Sequence, residues 1–154
     1  MTHYAKASCR GCTGLMTILL GCSIVRALAG ELPRGDCAAP KAAADLRHCD
    51  FSGRSLEGRD LRGALLDGAQ LESAKLTGSK LQGLSARGAD LKWADLSGSD
   101  LSGALITGAR LDHAVLRNAR LTGVRFVNAV LDGTDFTGAV GVPERLKQML
   151  ICPR

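Results

Sequence analysis

Cysteine and histidine are the residue types in this 154-residue chain whose spacing would most clearly signal a metal or redox site. Cys9 and Cys12 form a C-x-x-C pair, which can bind zinc or exchange disulfides. A structural zinc site needs further ligands, and no second Cys or His pair stands at ligand spacing. His3, His48 and His113 are far apart along the chain. We therefore predict no metal site and no cofactor.

Aspartate is the other residue type that could do chemistry here, because paired carboxylates can serve as general acid and base. Many of the aspartates recur at one position, directly before a leucine, as at Asp90, Asp95 and Asp100. Such regular spacing favours solvation or bonding to the backbone over catalysis. The sequence also has no nucleophile elbow, phosphate-binding loop or metal signature. We predict that the protein is not an enzyme.

A five-residue period runs through most of the chain and decides how any of these side chains are positioned. Of the eighteen positions spaced by five from Phe51 to Phe136, thirteen are Leu, three are Phe, one is Ile and one is Ala86. Two residues earlier the residue is Ala in ten repeats, and two residues later it is Gly in thirteen. The large members of the series are the predicted core: Phe51, Leu56, Leu61, Leu66, Leu71, Leu76, Leu81, Leu91, Leu96, Leu101, Ile106, Leu111, Leu116, Leu121, Phe126, Leu131 and Phe136.

Neither a helix nor a flat strand can bury this series on one side. Five steps of about 100° place successive leucines about 140° apart around a helix, which scatters them over every side. In a flat strand an odd period sends them alternately to opposite faces. The chain must therefore turn within every repeat, with Gly at the corner, and this predicts a solenoid.

The repeat resembles that of the pentapeptide-repeat proteins, whose motif is A-(D/N)-L-x-x. Residues 64–68, 89–93 and 94–98 carry it as ALLDG, ADLKW and ADLSG. The resemblance implies an all-β fold, a right-handed quadrilateral parallel β-helix with four repeats in each coil. We assign residues 44–141 to this solenoid, residues 30–43 to an N-terminal linker or cap, and residues 142–154 to a short C-terminal capping helix.

Charge alternation favours a coil of four repeats over one of three. Residues four repeats apart would then stack, and like charges that stack repel one another. Three such columns alternate in sign: Asp60, Lys80, Asp100 and Arg120; Arg47, Asp67 and Arg87; and Glu72, Lys92 and Asp112. Leu84 and Ala86 exchange the small and large positions of their repeat, which conserves the volume of the core.

Residues 1–29 have the features of an export signal. Lys6 and Arg10 precede an apolar run that extends from Leu15 to Val25, and Ala27-Leu28-Ala29 forms a small-x-small cleavage site. The run is shorter than the ~20 apolar residues that cross a bilayer as a helix. We predict a periplasmic or secreted bacterial protein. The alternatives are a lipoprotein anchored in the membrane through Cys22, which ends a lipoprotein-like box at residues 19–22, and a cytoplasmic protein with an uncleaved N-terminus.

Three cysteines follow this signal. In an oxidising compartment two of them can pair, and Cys37 with Cys49 would enclose a short loop. Cys152 would lie at the opposite end of the rod, beyond the Cα separation that a disulfide allows. It is predicted to be either a free thiol or an intermolecular link.

The formal net charge of +5 does not indicate a nucleic-acid partner. Residues 44–141 contain twelve Lys or Arg and twelve Asp or Glu, so the excess lies at the two ends and no basic groove is expected. We predict a rigid protein-binding or structural module with an unknown protein partner. Trp93, Leu105 and Val127 are its candidate surface contact, with Leu105 and Val127 on one side of the coil and Trp93 on the next; the other interpretation is scattered apolar residues without a dedicated site. The alternative is a DNA-mimicking, gyrase-interacting pentapeptide-repeat protein, which the neutral body disfavours.

Overall fold

The computed structural model describes residues 35–151, which form a stack of β-bridged coils followed by one helix, α1 (Glu144–Ile151). The predicted export signal and lipoprotein box lie outside the described residues, as do the predictions for His3, Cys9, Cys12, Cys22 and Cys152. Within residues 35–151, no helix is both long and apolar enough to cross a membrane.

Every coil of the stack consists of four repeats. Among the described residues, sixteen parallel β-bridges join pairs that are four repeats apart, from Asp45 with Leu65 to Arg120 with Val140. Each side of a coil contributes one bridging residue rather than a longer strand, because the chain turns in every repeat. The fold is a right-handed quadrilateral β-helix, and the fold prediction is confirmed.

We number the four sides by their inward central residues. Face 1 is centred on residues 46, 66, 86, 106 and 126, face 2 on 51, 71, 91, 111 and 131, face 3 on 56, 76, 96, 116 and 136, and face 4 on 61, 81, 101 and 121. The residues directly before and after each centre point outward, and the second residue after it forms the corner to the next face. Most outward residues are half-buried or exposed.

The corners are β-turns whose third residue has a left-handed backbone conformation. The N–H of Ser99 donates to the carbonyl of Leu96 at 3.1 Å, and Gly98 between them has φ 65°. A positive φ at the third position is the pattern of a type II turn, which glycine adopts most easily. The residues other than glycine with a positive φ are Ala43, His48, Ser73, Trp93, His113, Asn118 and Asn128.

The inward side chains of the five-residue series form one continuous core. Fourteen of its seventeen predicted members are at most 4% exposed, and Leu46, which is fully buried, extends the series by one repeat. Phe126, Leu131 and Phe136, also predicted as core, are only half-buried against this cluster. They belong to the last coil, over which no further coil stacks within the described residues.

Leu84 and Ala86 both point inward and are 3% and 2% exposed. The cavity that remains beside them has a volume of about 10 Å³ and only apolar lining residues, including Leu66 and Ile106. A space of that size holds one water at most, and a water there would lack polar partners. Leu84 therefore replaces nearly all the volume that is missing at Ala86.

The aspartates that precede a central residue satisfy a backbone N–H that the coils leave unpaired. The backbone-to-backbone hydrogen bonds between coils do not use the N–H of the residue after the centre. In seven repeats the Oδ1 of the preceding Asp accepts that N–H, as Asp95 does for Ser97 at 3.0 Å. This bonding accounts for the regular spacing of the aspartates.

Residues 35–43 cover the N-terminal end of the stack. The predicted disulfide is present, with the Cα atoms of Cys37 and Cys49 5.7 Å apart, and Cys49 takes a small inward position. Arg54 occupies the next small inward position, and its side chain extends out of the N-terminal end of the stack. It donates to the carbonyls of Cys37 and Ala38 at 2.5 and 3.2 Å, and its guanidinium lies 5.5 Å from the centre of the Phe51 ring. The disulfide and Arg54 thus fasten the covering segment.

At the C-terminal end, α1 begins one residue after Pro143, whose missing N–H is tolerated at a helix start. The Pro143 carbonyl accepts the N–H of Leu146 at 2.9 Å. Val142 packs against the core and Leu146 is half-buried. The predicted C-terminal segment, 142–154, therefore contains a helix of two turns.

Candidate functional site

The His, Cys, Asp and Glu residues, whose side chains are of the types used in catalysis, are dispersed over the β-helix. Within residues 35–151, no group of three His, Cys, Asp or Glu could hold a metal ion. His48 forms a corner between faces 1 and 2, whereas His113 forms a corner between faces 2 and 3, three coils later. The outer faces, the corners and the ends of the stack are therefore the places where the described residues could form a site.

Two outward aspartates, Asp60 and Asp135, are held in their ionised form. The side-chain hydrogen bond from Arg62 lowers the pKa of Asp60 to about 2. The hydroxyl of Thr137, with its backbone N–H and the Arg117 guanidinium, lowers the pKa of Asp135 to about 2. A general acid or base needs a pKa near the working pH. These carboxylates anchor the outward side chains and are poorly suited to proton transfer.

An open cleft lies at the N-terminal end of the stack. It has a volume of about 370 Å³ and is lined by Gly35, Cys37, Asp45, Arg47, His48 and Cys49. Its two charged side chains are paired, with Arg47 Nη2 2.7 Å from Asp45 Oδ2. The cleft therefore presents a closed ion pair rather than a free charge to a ligand.

The three residues predicted as a surface contact are separated by the fold. Leu105 and Val127 lie on face 1 in successive coils, where Leu105 is half-buried and Val127 is 46% exposed. Trp93 is 56% exposed at the corner between faces 2 and 3, so the whole of face 2 separates it from the other two. A single patch of these three residues does not exist, because the corner position carries Trp93 to another side of the coil.

Trp93 stacks instead on His113 of the next coil. The ring centres are 4.2 Å apart and the ring planes meet at 15°. Both residues have φ 58°, which is unusual for bulky side chains. His113 covers Gly133 one coil further on, where a Cβ atom would collide with the imidazole ring. The spacing of one full coil between Trp93 and His113 is the sequence signal that identifies this pair.

Face 2 is acidic, although the β-helix as a whole is neutral. Its outward positions carry five carboxylates against two cationic side chains: Asp50, Glu72, Asp90, Asp112 and Asp132 against Lys92 and Arg110. Faces 1 and 4 each carry two carboxylates and three cationic side chains. Face 3 carries three carboxylates and two cationic side chains. The negative charge is therefore concentrated on one side.

Both cationic side chains of face 2 are already paired. Lys92 Nζ lies 3.7 Å from a carboxylate oxygen of Asp90. Arg110 lies 4.0 Å from Asp90 and 3.7 Å from Asp112. These contacts neutralise the two cations and leave the excess negative charge of the face uncompensated.

The column of outward residues Glu72, Lys92, Asp112 and Asp132 on face 2 runs directly beside the aromatic corner. The backbone N–H of Trp93 donates to the carbonyl of Asp112 at 3.0 Å, and that of His113 donates to the carbonyl of Asp132 at 2.8 Å. In the same column, Glu72 and Asp132 are exposed, and neither forms an ion pair with another described residue. An exposed aromatic pair thus borders unpaired carboxylates.

Comparison with known proteins agrees with this architecture. A family model for pentapeptide repeats matches the segments 44–83, 66–103, 87–123 and 100–138, which together span more than half of the chain. The protein belongs to the pentapeptide-repeat family.

Several solved structures are similar to it, among them the following two. A pentapeptide repeat protein from the Arabidopsis thaliana thylakoid lumen is 34% identical, with a TM-score of 0.65 over 69% of this chain and 73% of that one. The pentapeptide repeat protein Rfr23 from the cyanobacterium Cyanothece 51142 is 30% identical, with a TM-score of 0.60 over 66% and 70% of the two chains. The comparison with curated proteins found no match.

Proposed function

We propose that this protein is a rigid, non-enzymatic scaffold that binds another protein through the outside of its β-helix. The observation that carries the proposal is the unbroken four-repeat spacing of the β-bridges, which stacks the inward side chains into a filled core. The core cavity of about 10 Å³ has no room for a ligand. Recognition then falls to faces and corners whose spacing the backbone fixes.

Retention of a partner tests this proposal. Full-length protein is immobilised and exposed to an envelope extract of the native host, beside a Leu101→Asp variant. Leu101 is 2% exposed, so a carboxylate there disrupts the stack. We expect a protein retained in stoichiometric amount by the wild type and absent from the variant. Equal retention by both would contradict a role for the folded scaffold.

We further propose that the mature protein acts outside the cytoplasm. Support comes from the Cys37–Cys49 disulfide, since disulfides persist in oxidising compartments. The similar Arabidopsis protein is from the thylakoid lumen. Mass spectrometry of protein from the native host tests the location: Gly30 as the first residue supports export, and a diacylated Cys22 supports a lipoprotein. An intact Met1 would contradict both.

The acidic face 2 is the one observation that favours the alternative, a DNA-mimicking protein that interacts with gyrase. Duplex DNA carries phosphates on all sides, however, whereas faces 1 and 4 carry more cationic than acidic side chains. We therefore rank this function second. Inhibition of gyrase supercoiling by the purified protein would support it, and unchanged supercoiling in excess protein would remove it.

A further inference from the structure

We propose that Trp93 and His113, with the carboxylates of Glu72 and Asp132 on the neighbouring column of face 2, bind a basic polypeptide segment; we call these four residues the Trp93 corner. The inference rests on the proposed protein-binding function and adds the position of the contact and the chemistry of the partner.

Trp93 has the properties of an anchor residue for a protein partner. Tryptophan is enriched among the residues that dominate binding energy, and a side chain that is already held in place loses little entropy on binding. The turn fixes the backbone here, since the N–H of Trp93 donates to the Asp112 carbonyl at 3.0 Å and that of Ala94 donates to the Leu91 carbonyl at 3.1 Å. His113 stacks against the indole, and 56% of Trp93 remains exposed.

Packing does not explain why tryptophan occupies this corner. Gly fills the corner in thirteen of eighteen repeats, and φ 58° favours Gly over any bulky residue. Burial of the core does not depend on a large corner side chain, because Leu81 and Leu101, beside the glycine corners at 83 and 103, are at most 2% exposed. Stability of the β-helix therefore does not require this side chain.

Charge selects a cationic partner. The face of an indole ring attracts cations, and arginine combines stacking on that face with bidentate bonding to carboxylates. Glu72 and Asp132 supply exposed carboxylates that have no ion-pair partner within residues 35–151, while Lys92 and Arg110 are held by ion pairs. A segment with several Arg or Lys side chains meets both requirements.

The distance between the two carboxylates suggests an extended segment. Glu72 and Asp132 are three coils apart, which at the spacing of stacked strands is about 14 Å. An extended peptide covers that distance in about four or five residues. Two or three basic residues within such a segment can therefore reach the carboxylates at the same time as one stacks on Trp93.

Trp93 is the only tryptophan of the chain, so its fluorescence reports directly on this corner. The probe is a short peptide of five Arg-Gly pairs, added to full-length protein; its control has Glu in place of each Arg. We expect a saturable change in emission with the basic peptide, weakened by added salt, and none with the acidic peptide. A response to a neutral oligosaccharide such as maltohexaose in place of the basic peptide would overturn the proposal.

Variants separate binding from folding. Trp93→Gly places the preferred residue at φ 58° and keeps the coil, which circular dichroism and the melting temperature verify. In fluorescence anisotropy of a labelled basic peptide, we expect Trp93→Gly to weaken binding about tenfold. Asp132→Asn should weaken it as well. The matched controls, Asn118→Gly at the corner between faces 3 and 4 and Glu57→Gln on face 3, should bind as the wild type does.

The two proposals can fail separately. If the basic peptide binds Trp93→Gly as tightly as the wild type, the assignment of the Trp93 corner is wrong. If the host partner retained by the wild type is retained equally by Trp93→Gly, the scaffold function stands and binding lies elsewhere. If the wild type binds neither the peptide nor a host partner, both proposals fail.

Discussion

Leu84 and Ala86 point into the same layer of the core with the large and small side chains in exchanged positions, and both are at most 3% exposed. Their repeat is the only one of the eighteen with Ala at the centre. The cavity that remains there is about 10 Å³, so the exchange is nearly complete.

This exchange predicts strong coupling between the two positions. Leu84→Ala should cost about 2–5 kcal/mol because it enlarges the cavity, and Ala86→Leu should cost about 1–3 kcal/mol because the layer is already full. The double variant restores the usual repeat and should cost less than about 1.5 kcal/mol. Urea unfolding of the four proteins measures the cycle. Additive losses would mean that the two side chains do not share a layer.

Replacement by alanine is predicted to destabilise the protein more at the Gly133 corner than at the Gly98 corner. Gly133→Ala places a Cβ against the His113 ring, whereas Gly98→Ala, at nearly the same φ, meets no atom within 4 Å. Both variants should lose about 1 kcal/mol of unfolding free energy, because alanine disfavours the left-handed backbone. Gly133→Ala should lose more, because its Cβ also collides with the His113 ring. Thermal unfolding measures the difference. Adding His113→Gly should remove it, and persistence of the extra loss would place its cause elsewhere.

Acid should destabilise the β-helix through its outward aspartates. The pKa values of Asp60 and Asp135 are lowered from 3.8 to about 2, so the unfolded chain takes up protons first as the pH falls. Their contribution is fully present above about pH 4 and is lost as the pH falls towards 2. Melting temperatures from pH 7 to pH 2 follow this loss.

Thr137→Val isolates one of these groups. It removes the hydroxyl that contributes most to the lowered pKa of Asp135, so the acid-induced loss should become smaller. Thr107→Val, on face 1, is the matched control and should leave the pH dependence as in the wild type. Identical profiles for Thr137→Val and the wild type would show that this hydrogen bond does not set the pKa.

The disulfide should stabilise the N-terminal covering segment. Replacing both Cys37 and Cys49 with Ala leaves the usual inward residue at position 49 and should cost up to about 3 kcal/mol, as expected for a short closed loop. A dithiol reductant should lower the melting temperature of the wild type and leave the double variant unchanged. Alkylation of oxidised, unfolded protein should label neither cysteine; labelling of both would refute the bridge.

The solenoid and its coil could be predicted from the sequence because the signal repeats. A leucine every fifth residue is incompatible with a helix and with a flat strand, and this single fact excludes nearly every other fold. The alternating charges of Asp60, Lys80 and Asp100 then distinguish four repeats per coil from three. The bridges from Asp60 to Lys80 and from Lys80 to Asp100 confirm that choice.

The candidate site was harder to predict from the sequence, because it depends on which columns of outward residues lie on the same face of the coil. Trp93, Leu105 and Val127 are all apolar and outward, yet a whole face separates Trp93 from the other two. The neutral total charge likewise conceals the acidic face 2. Summing charge along the chain mixes four sides that point in different directions, and the charges separate only when they are sorted by the four-repeat register.

The amino-acid sequence alone determined the period, the inward residues and the identity of the corners, because these depend on local sterics repeated many times. Tertiary structure alone decided that Glu72 and Asp132 form no ion pair with another described residue, and that Phe126 and Phe136 remain half-buried. Those outcomes depend on side-chain directions and on which coil ends the stack. Each occurs once, so no periodic signal in the sequence encodes it.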